Sequence, residues 1–167
     1  MKISKMKISK KLIVLLIVLF KITMYSQNGK VIKIKDGDTI IIIDSLNIQT
    51  TIRLAEVDCP ESSQPFGKQA KKYTSDEVGL KNVTYEIIGK DRYNRIIAKV
   101  FYDGKYLSKE IIKNGYGWHY KQYSTSKELA ELERIAKEKK LGLWIDKKPI
   151  EPCIYRQNNK ILRMGRH

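Results

Sequence analysis

The sequence contains few of the residues that usually build zinc centres and covalent cross-links. Among its 167 residues are two cysteines, Cys59 and Cys153, and two histidines, of which only His119 lies inside the chain. Two distant cysteines are too few for a structural zinc site, which takes four ligands. One histidine without a partner does not by itself indicate catalysis. In an oxidising compartment the two cysteines can form one disulfide, and two free thiols are the alternative.

No apolar run in the sequence is long enough to cross a bilayer. Residues 12–20 form a run of nine apolar residues that ends at Lys21, whereas a spanning helix needs about 20. A basic start, a short apolar run and a polar exit predict a secretory signal peptide over residues 1–26. We therefore expect a secreted or periplasmic protein that has no membrane contact after signal removal. An uncleaved N-terminal membrane anchor is the alternative.

Acidic residues are scarce relative to basic ones. The chain has 18 Asp and Glu against 33 Lys and Arg, which gives a formal net charge of +15. An excess of this size attracts polyanions, either nucleic acid or an anionic membrane. The net charge therefore indicates which partners the protein attracts and does not indicate its fold.

The order of predicted elements indicates an α+β fold with a five-stranded barrel. Alternation and β-branched runs predict strands, and 3.6-residue periodicity predicts helices. Thr125 and Glu128 have the spacing of a capping box, which would open the last predicted helix. Residues 27–148 would form one domain with about three helices, followed by a basic C-terminal tail over residues 149–167. We predict strands over residues 30–35, 39–43, 49–57, 82–88 and 96–102, and helices over residues 67–78, from about 107 to Gly115, and 125–140.

Two acidic segments carry the first candidate site. A turn at residues 36–38 places Asp38 between the first two strands, because Gly37 tolerates positive φ. Asp58 ends the third strand, so a three-stranded meander would bring both carboxylates to one sheet edge. Two carboxylates with a carbonyl or water suit calcium, and Glu61 could accept a proton from a neighbouring water. A simple turn former at Asp38 and an exposed loop acid at Glu61 are the alternatives.

Two arginines and several aromatic residues could recognise nucleic acid. The guanidinium groups of Arg53 and Arg95 match phosphate oxygens, and beside a metal they would hold a phosphodiester. For Arg95, a loop ion pair with Asp91 is the alternative. Aromatic residues among basic ones can stack on bases, although packing in the core is also common for them. The candidate substrate-binding residues are Arg92, Tyr93, Tyr120 and Tyr123.

Four motifs in order resemble the staphylococcal nuclease (thermonuclease) family. They are V-I-K-I-K-D-G-D-T-I, I-R-L-A-E-V-D-C-P-E, D-R-Y-N-R and K-K-L-G-L-W, between about residues 30 and 144. The resemblance implies an oligonucleotide-binding (OB-fold) barrel and calcium-dependent cleavage of DNA and RNA to 3′-phosphate products. It also implies a monomer without a stable protein partner, with single strands favoured as substrate.

The resemblance assigns roles to individual positions of this chain. Asp38, Asp58 and the backbone carbonyl of Cys59 would bind calcium. Arg53 and Arg95 would contact the scissile phosphate, and Glu61 would be the general base. Three tyrosines would contact the nucleotide, namely Tyr93, Tyr120 and Tyr123.

The chain departs from the family pattern at two places. The residue after Asp58 is Cys59, where relatives often have Thr or Ala, and the loop between Glu61 and Phe66 is shorter than in the type enzyme. Glu56 has no assigned role. A non-catalytic OB-fold module that binds nucleic acid is the alternative function. The presence of Asp38, Asp58, Glu61, Arg53 and Arg95 together favours the enzyme, because a binding module does not need all five.

Overall fold

A computed structural model describes residues 26–164, so the predicted signal peptide lies outside the described residues except for its last position. Within this range no helix is both long and apolar enough to cross a membrane. The strands are β1 (Ser26–Asp36), β2 (Thr39–Ile43), β3 (Gln49–Leu54), β4 (Val57–Asp58), β5 (Asn82–Lys90), β6 (Ile96–Tyr102), β7 (Lys105–Tyr106) and β8 (Trp118–His119). The α-helices are α1 (Gly67–Val78), α2 (Leu107–Lys113), α3 (Lys127–Glu138) and α4 (Pro152–Met164), and a 3-10 helix covers Gly142–Ile145.

Five strands close into a barrel. β1 pairs antiparallel with β2 and with β5, β2 pairs with β3, and β5 pairs with β6. A parallel pairing of β3 with β6 closes the ring. The β-branched sequence T-I-I-I-I suits a pleated, half-buried strand, and Ile40 and Ile42 of β2 are fully buried in the core. The predicted α+β class and five-stranded OB-type barrel are confirmed.

The third predicted strand is broken in two. The prediction ran from residue 49 to 57, but β3 ends at Leu54 and Ala55 and Glu56 form a turn, with a φ of 64° at Glu56. The chain then resumes as β4, which pairs with β8 in a separate two-stranded sheet. This break redirects the chain, so Asp58 leaves the barrel sheet and joins the segment around Trp118.

The helices differ from the prediction at the C-terminal end of the domain. Helix α1 has the predicted bounds and buries Ala70, Thr74 and Val78. Helix α3 is capped by Ser126, whose side chain accepts a hydrogen bond from the Leu129 N–H at 3.2 Å, so the predicted capping role of Thr125 was wrong by one residue. A fourth helix, α4, occupies the region for which the sequence predicted only a basic tail.

Candidate active site

The turn between β1 and β2 is joined directly to the end of β4. The Oδ2 atom of Asp38 accepts a 2.7 Å hydrogen bond from the backbone N–H of Cys59. The Asp38 carbonyl accepts a second bond, of 2.8 Å, from the N–H of Leu54. Asp38 and Asp58 are both buried. These bonds therefore bring two predicted calcium ligands, Asp38 and the Cys59 backbone, next to each other.

Gly37 is required in this turn for space rather than for its backbone angle. The predicted positive φ at Gly37 was wrong, since this residue is not among the positive-φ glycines. A Cβ atom at Gly37 would lie 2.7 Å from the Cβ of Cys59 and 2.9 Å from that of Ala70 in α1. Contacts this short leave no room for a side chain, so the turn packs directly against β4 and α1.

Arg53 links the two aspartates. Its Nη2 atom lies 3.1 Å from Oδ2 of Asp38 and 2.9 Å from Oδ1 of Asp58. Its Nη1 atom donates to the carbonyls of Leu54 and Val57 at 3.0 and 2.9 Å. Burial alone would lower the pKa of Arg53, but the charges of Asp38 and Asp58 raise it. The guanidinium is thus a fixed, fully charged centre that holds the β3–β4 turn and both carboxylates.

Asp58 and Glu61 share a third guanidinium that the sequence did not predict. Arg156 of α4 places Nη2 3.0 Å from Oδ2 of Asp58 and Nη1 2.7 Å from Oε1 of Glu61. Burial raises the pKa of Asp58, while the hydrogen bonds from Arg156 oppose that rise. The predicted metal ligand and the predicted general base therefore lie side by side, joined by one residue from the end of the domain.

Arg95 reaches the same cluster through Thr39. Its Nε atom donates to Oδ2 of Asp91 at 2.7 Å, which is the loop ion pair considered as the alternative. Its Nη1 atom lies 3.4 Å from Oγ1 of Thr39, and the Thr39 hydroxyl is 3.2 Å from Oδ1 of Asp38. Arg95 thus pairs with Asp91 and is also connected to the Asp38 carboxylate through the hydroxyl of Thr39.

The candidate base-stacking residues lie on two loops. The Tyr93 side chain is 68% exposed, with the guanidinium of Arg92 5.1 Å from its ring centroid. Tyr120 and Tyr123 form an edge-to-face pair with centroids 4.8 Å apart. Burial, and then the nearby charge of Asp58, raise the pKa of the Tyr120 hydroxyl. Tyr93 and Tyr123 are open to solvent and are free to stack on a ligand.

Carboxylates dominate the charge around the turn. Burial, and then the charge of Asp38, raise the pKa of Asp36 to about 6. The four carboxylates of Asp36, Asp38, Asp58 and Glu61 outnumber the three guanidinium groups of the cluster, those of Arg53, Arg95 and Arg156. Such a cluster favours one more cation, because buried carboxylates are costly without compensating charge.

The donor atoms fit a hard cation. Within residues 26–164 no group of three or more His, Cys, Asp or Glu side chains is arranged to hold a metal ion. The predicted set is smaller, with two carboxylates and one backbone carbonyl. One nitrogen of Arg53 contacts both aspartates, so the two carboxylates converge on a common point. All these ligands are oxygen atoms, the type that calcium prefers.

Glu56, for which the sequence suggested no role, stabilises the β3–β4 turn. Its carboxylate accepts hydrogen bonds from the hydroxyls of Ser124 at 2.8 Å and Tyr106 at 2.9 Å, and Lys99 lies 3.4 Å away. Burial alone would raise the pKa of Glu56, but the bonds from Ser124, Tyr106 and Lys99 lower it. The Glu56 carbonyl accepts a further bond from the N–H of Tyr120. Glu56 therefore joins the β3–β4 turn to the loop that carries Tyr120 and Ser124.

Both cysteines are free thiols in the structure. Cys59 is buried in the core beside Gly37, and Cys153 lies half-buried in the first turn of α4. Burial raises the pKa of Cys59 well above that of an ordinary thiol. Of the two alternatives for these residues, free thiols are therefore the arrangement present in the structure.

Two members of the cluster, Thr39 and Arg156, were missed from the sequence. Thr39 lies inside a β-branched strand, where a threonine carries no special signal. Arg156 lies in a basic segment that begins with Pro152 at the first helical position, where proline is common. The segment is as amphipathic as α3, but its basic composition favoured a tail.

The family of the chain follows from its similarity to known protein families. The family model of staphylococcal nuclease homologues matches residues 51–146. The chain belongs to the staphylococcal nuclease family. The match includes Arg53, Asp58, Glu61 and Arg95, and it ends shortly before α4.

Several related proteins align with this chain over most of its length and most of their own. A protein of Haemophilus influenzae named an uncharacterized endonuclease is 44% identical over 132 residues, which is 79% of this chain and 74% of its own. An Escherichia coli protein of the same name is 36% identical over 130 residues, which is 77% of this chain and 84% of its own. A micrococcal nuclease of Shigella flexneri is 33% identical over 144 residues, covering 79% and 82% of the two chains. Family membership and these relatives support a nuclease function.

Proposed function

We propose that the protein is a calcium-dependent nuclease that hydrolyses phosphodiester bonds of DNA and RNA and leaves 3′-phosphate ends. The observation that carries the proposal is the contact of Arg53 with both Asp38 and Asp58 through one nitrogen atom. It unites a phosphate-binding group with two hard-cation ligands in one buried cluster. Membership of the staphylococcal nuclease family supports the same reaction.

Asp38, Asp58 and the backbone carbonyl of Cys59 would hold the calcium ion. When bound, calcium would supply positive charge to the phosphate oxygens and lower the pKa of a bound water. The 2.7 Å bond between Asp38 and the Cys59 N–H fixes the two backbone segments relative to each other. Because a carbonyl ligand does not depend on the side chain, cysteine at position 59 is compatible with this role.

The side chains of the cluster have separate tasks in the proposed reaction. The guanidinium groups of Arg53 and Arg95 bind the scissile phosphate and stabilise the charge of its pentacoordinate transition state. Glu61 accepts the proton of the attacking water. Its carboxylate lies on a loop that is held by the bond from the Glu61 N–H to Gln64 at 3.2 Å, so the base has a defined position.

The exposed aromatic side chains would bind the nucleotides on either side of the scissile bond. Tyr93 with Arg92, and Tyr120 with Tyr123, offer ring faces that can stack on bases. Paired bases have no free faces, so this recognition favours single strands. The cluster is built from one chain, so the proposed enzyme can act as a monomer without a second copy completing its site.

Cleavage of single-stranded DNA tests the proposal. The purified protein should cleave an end-labelled strand in calcium and stop in excess chelator, and the products should carry 3′-phosphates that a phosphatase removes. Glu61→Gln should lower kcat about 100-fold or more, in the range for loss of a general base. Glu131→Gln, on the exposed face of α3, is the matched control and should leave kcat unchanged.

Two outcomes would contradict the proposal in different ways. An intact strand in calcium, bound but not cut, would identify the non-catalytic nucleic-acid-binding module. Cleavage that continues in chelator would retain the nuclease and remove calcium from its mechanism.

We also propose that residues 1–26 direct export of this nuclease. The proposal rests on the basic start and short apolar run of the sequence. Mass determination of the protein from periplasmic and culture fractions tests it. A processed chain in those fractions supports a signal peptide, and an unprocessed chain in the membrane fraction supports an anchor.

A further inference from the structure

The helix α4 is fixed against the loop that carries Glu61. The side-chain N–H of Gln64 donates to the carbonyl of Ile150 just before the helix. The hydroxyl of Tyr155 lies 3.1 Å from both the carbonyl and Oγ of Ser63. Because Gln64 itself is buried, the start of α4 has a defined position relative to Glu61.

This fixed position brings a cation to the edge of the candidate active site. Besides its bonds to Asp58 Oδ2 and Glu61, Arg156 places Nη1 3.3 Å from Oδ1 of Asp58. The Arg156 side chain is 43% exposed, whereas that of Arg53, on the other side of Asp58, is 12% exposed. Of the two guanidinium groups that flank Asp58, Arg156 is therefore the outer one and the more accessible to an incoming anion.

A polar groove continues outward from Arg156. Its volume is about 280 Å³, and it lies between α4 and the Glu61 loop. Arg156 and Lys160 are four residues apart on α4, so they lie on the same helical face. The sequence of α4 contains Arg156, Lys160 and Arg163 and no acidic residue. The groove is lined by Glu61, Ser63, Tyr155, Arg156, Asn159 and Lys160.

We propose that α4 forms a second wall of the substrate cleft, in which Arg156 binds the scissile phosphate or its neighbour and Lys160 binds the next phosphate outward. This inference rests on the proposed nuclease function. The ion pairs of Arg156 with Asp58 and Glu61 are compatible with phosphate binding. Arg53, which is also proposed to bind phosphate, makes the same kind of contact. A guanidinium has five N–H donors, so it can keep a carboxylate partner and still bind a phosphate.

Binding of a hydrolysis-resistant single strand tests α4 separately from catalysis. The probe is a fluorescent phosphorothioate DNA of eight nucleotides, with calcium, and anisotropy gives Kd at several salt concentrations. We expect Arg156→Gln to weaken binding about tenfold, which corresponds to about 1.4 kcal/mol. The slope of log K against log salt concentration should become less steep by about one for this variant, because one phosphate contact is lost. Arg156→Lys should keep the slope and recover part of the affinity.

Two further variants keep the test decisive. Arg134→Gln removes one guanidinium from the exposed face of α3, where it pairs with Glu131 and Glu138, and should change Kd less than twofold. Lys160→Gln touches no carboxylate of the cluster. It should lower the salt slope by about one without changing thermal unfolding, even if Arg156→Gln unfolds.

The outcomes separate this inference from the proposed function. Unchanged or tighter binding in folded Arg156→Gln, with an unchanged salt slope in Lys160→Gln, would overturn the role of α4. Tighter binding with faster cleavage would instead identify Arg156 as an inhibitory counter-ion. A wild-type protein that binds the strand through Arg156 but does not cut normal DNA would overturn only the nuclease proposal.

Discussion

Cys59 lies so close to Gly37 that a Cβ atom at position 37 would come within 2.7 Å of the Cys59 Cβ. The contact joins the turn that carries Asp38 to the end of β4, which carries Asp58. The Asp38 carboxylate bonds to the Cys59 N–H within the same contact. The spacing of the two proposed calcium ligands therefore depends on the absence of one methyl group.

Gly37→Ala should destabilise the protein. The added methyl would overlap Cys59 and Ala70, and overpacking of a tight core costs about 1–3 kcal/mol. Urea unfolding followed by circular dichroism measures the change. Gly89→Ala is the matched control, because a Cβ there meets nothing within 4 Å. Equal stability of the two variants would show that the turn can move away from Cys59.

The two arginines proposed to bind phosphate, Arg53 and Arg95, should differ in their effect on stability. Arg53→Gln leaves two buried aspartates without their shared partner, so it should lower the free energy of unfolding by about 3–5 kcal/mol. Arg95→Gln breaks a partly exposed pair with Asp91 and should cost less than about 1 kcal/mol. Both should lower kcat about 100-fold or more. Full activity in Arg95→Gln would leave that residue with only its ion pair.

Glu56 should matter for stability and not for chemistry. Glu56→Ala removes one acceptor from each of the hydroxyls of Ser124 and Tyr106, at an expected cost of about 1–3 kcal/mol. Glu56→Gln keeps an acceptor at the same place and should cost less. Chemical denaturation measures both, with kcat determined below the unfolding transition. A large loss of kcat in a stable variant would instead place Glu56 in the reaction.

The buried His119 should make stability depend on pH. Burial lowers the pKa of His119, although the charge of Glu133 opposes this. The unfolded chain therefore takes up a proton more readily, and stability should fall as the pH is lowered through about 6.5. Protonation of this one group changes the free energy of unfolding by at most about 1.4 kcal/mol per pH unit. Melting curves of wild type and His119→Gln from pH 8 to 5 measure the difference, and parallel curves would contradict it.

The state of the two cysteines can be read from the intact mass. Alkylation in denaturant without a reductant should add two groups, since Cys59 and Cys153 are free thiols in the structure. Alkylation of the folded protein should be slower at Cys59, which is buried. No addition before reduction would demonstrate the disulfide instead.

The barrel and its inner site were predictable because their signals are local. The run T-I-I-I-I and the helix that ends before Gly79 gave β2 and α1 with the bounds found in the structure. The meander brings the end of β3 beside the turn that carries Asp38, and the bond from the Cys59 N–H to Asp38 holds the end of β4 there. The redirection at Glu56 had one local signal, because two adjacent apolar residues, Leu54 and Ala55, interrupt the alternation where the turn begins.

Helix α4 was missed for a different reason. Its apolar residues, such as Ile154, Ile161 and Leu162, recur with a helical periodicity as strong as that of α3, so the signal was present but the basic composition of the segment outweighed it. The role of Arg156 depends on a tertiary contact, and one arginine in a basic segment carries no sign of it. Thr39 was likewise indistinguishable from its β-branched neighbours.

The bond between Arg156 and Asp58 joins residues that are 98 positions apart, whereas Arg53 and Asp58 are five positions apart. Contacts between distant residues close large loops and form late in folding. During synthesis, a chain that has emerged as far as β6 already contains Asp38, Arg53, Asp58, Glu61 and Arg95. It cannot acquire the outer guanidinium of the cluster until α4 has also been translated.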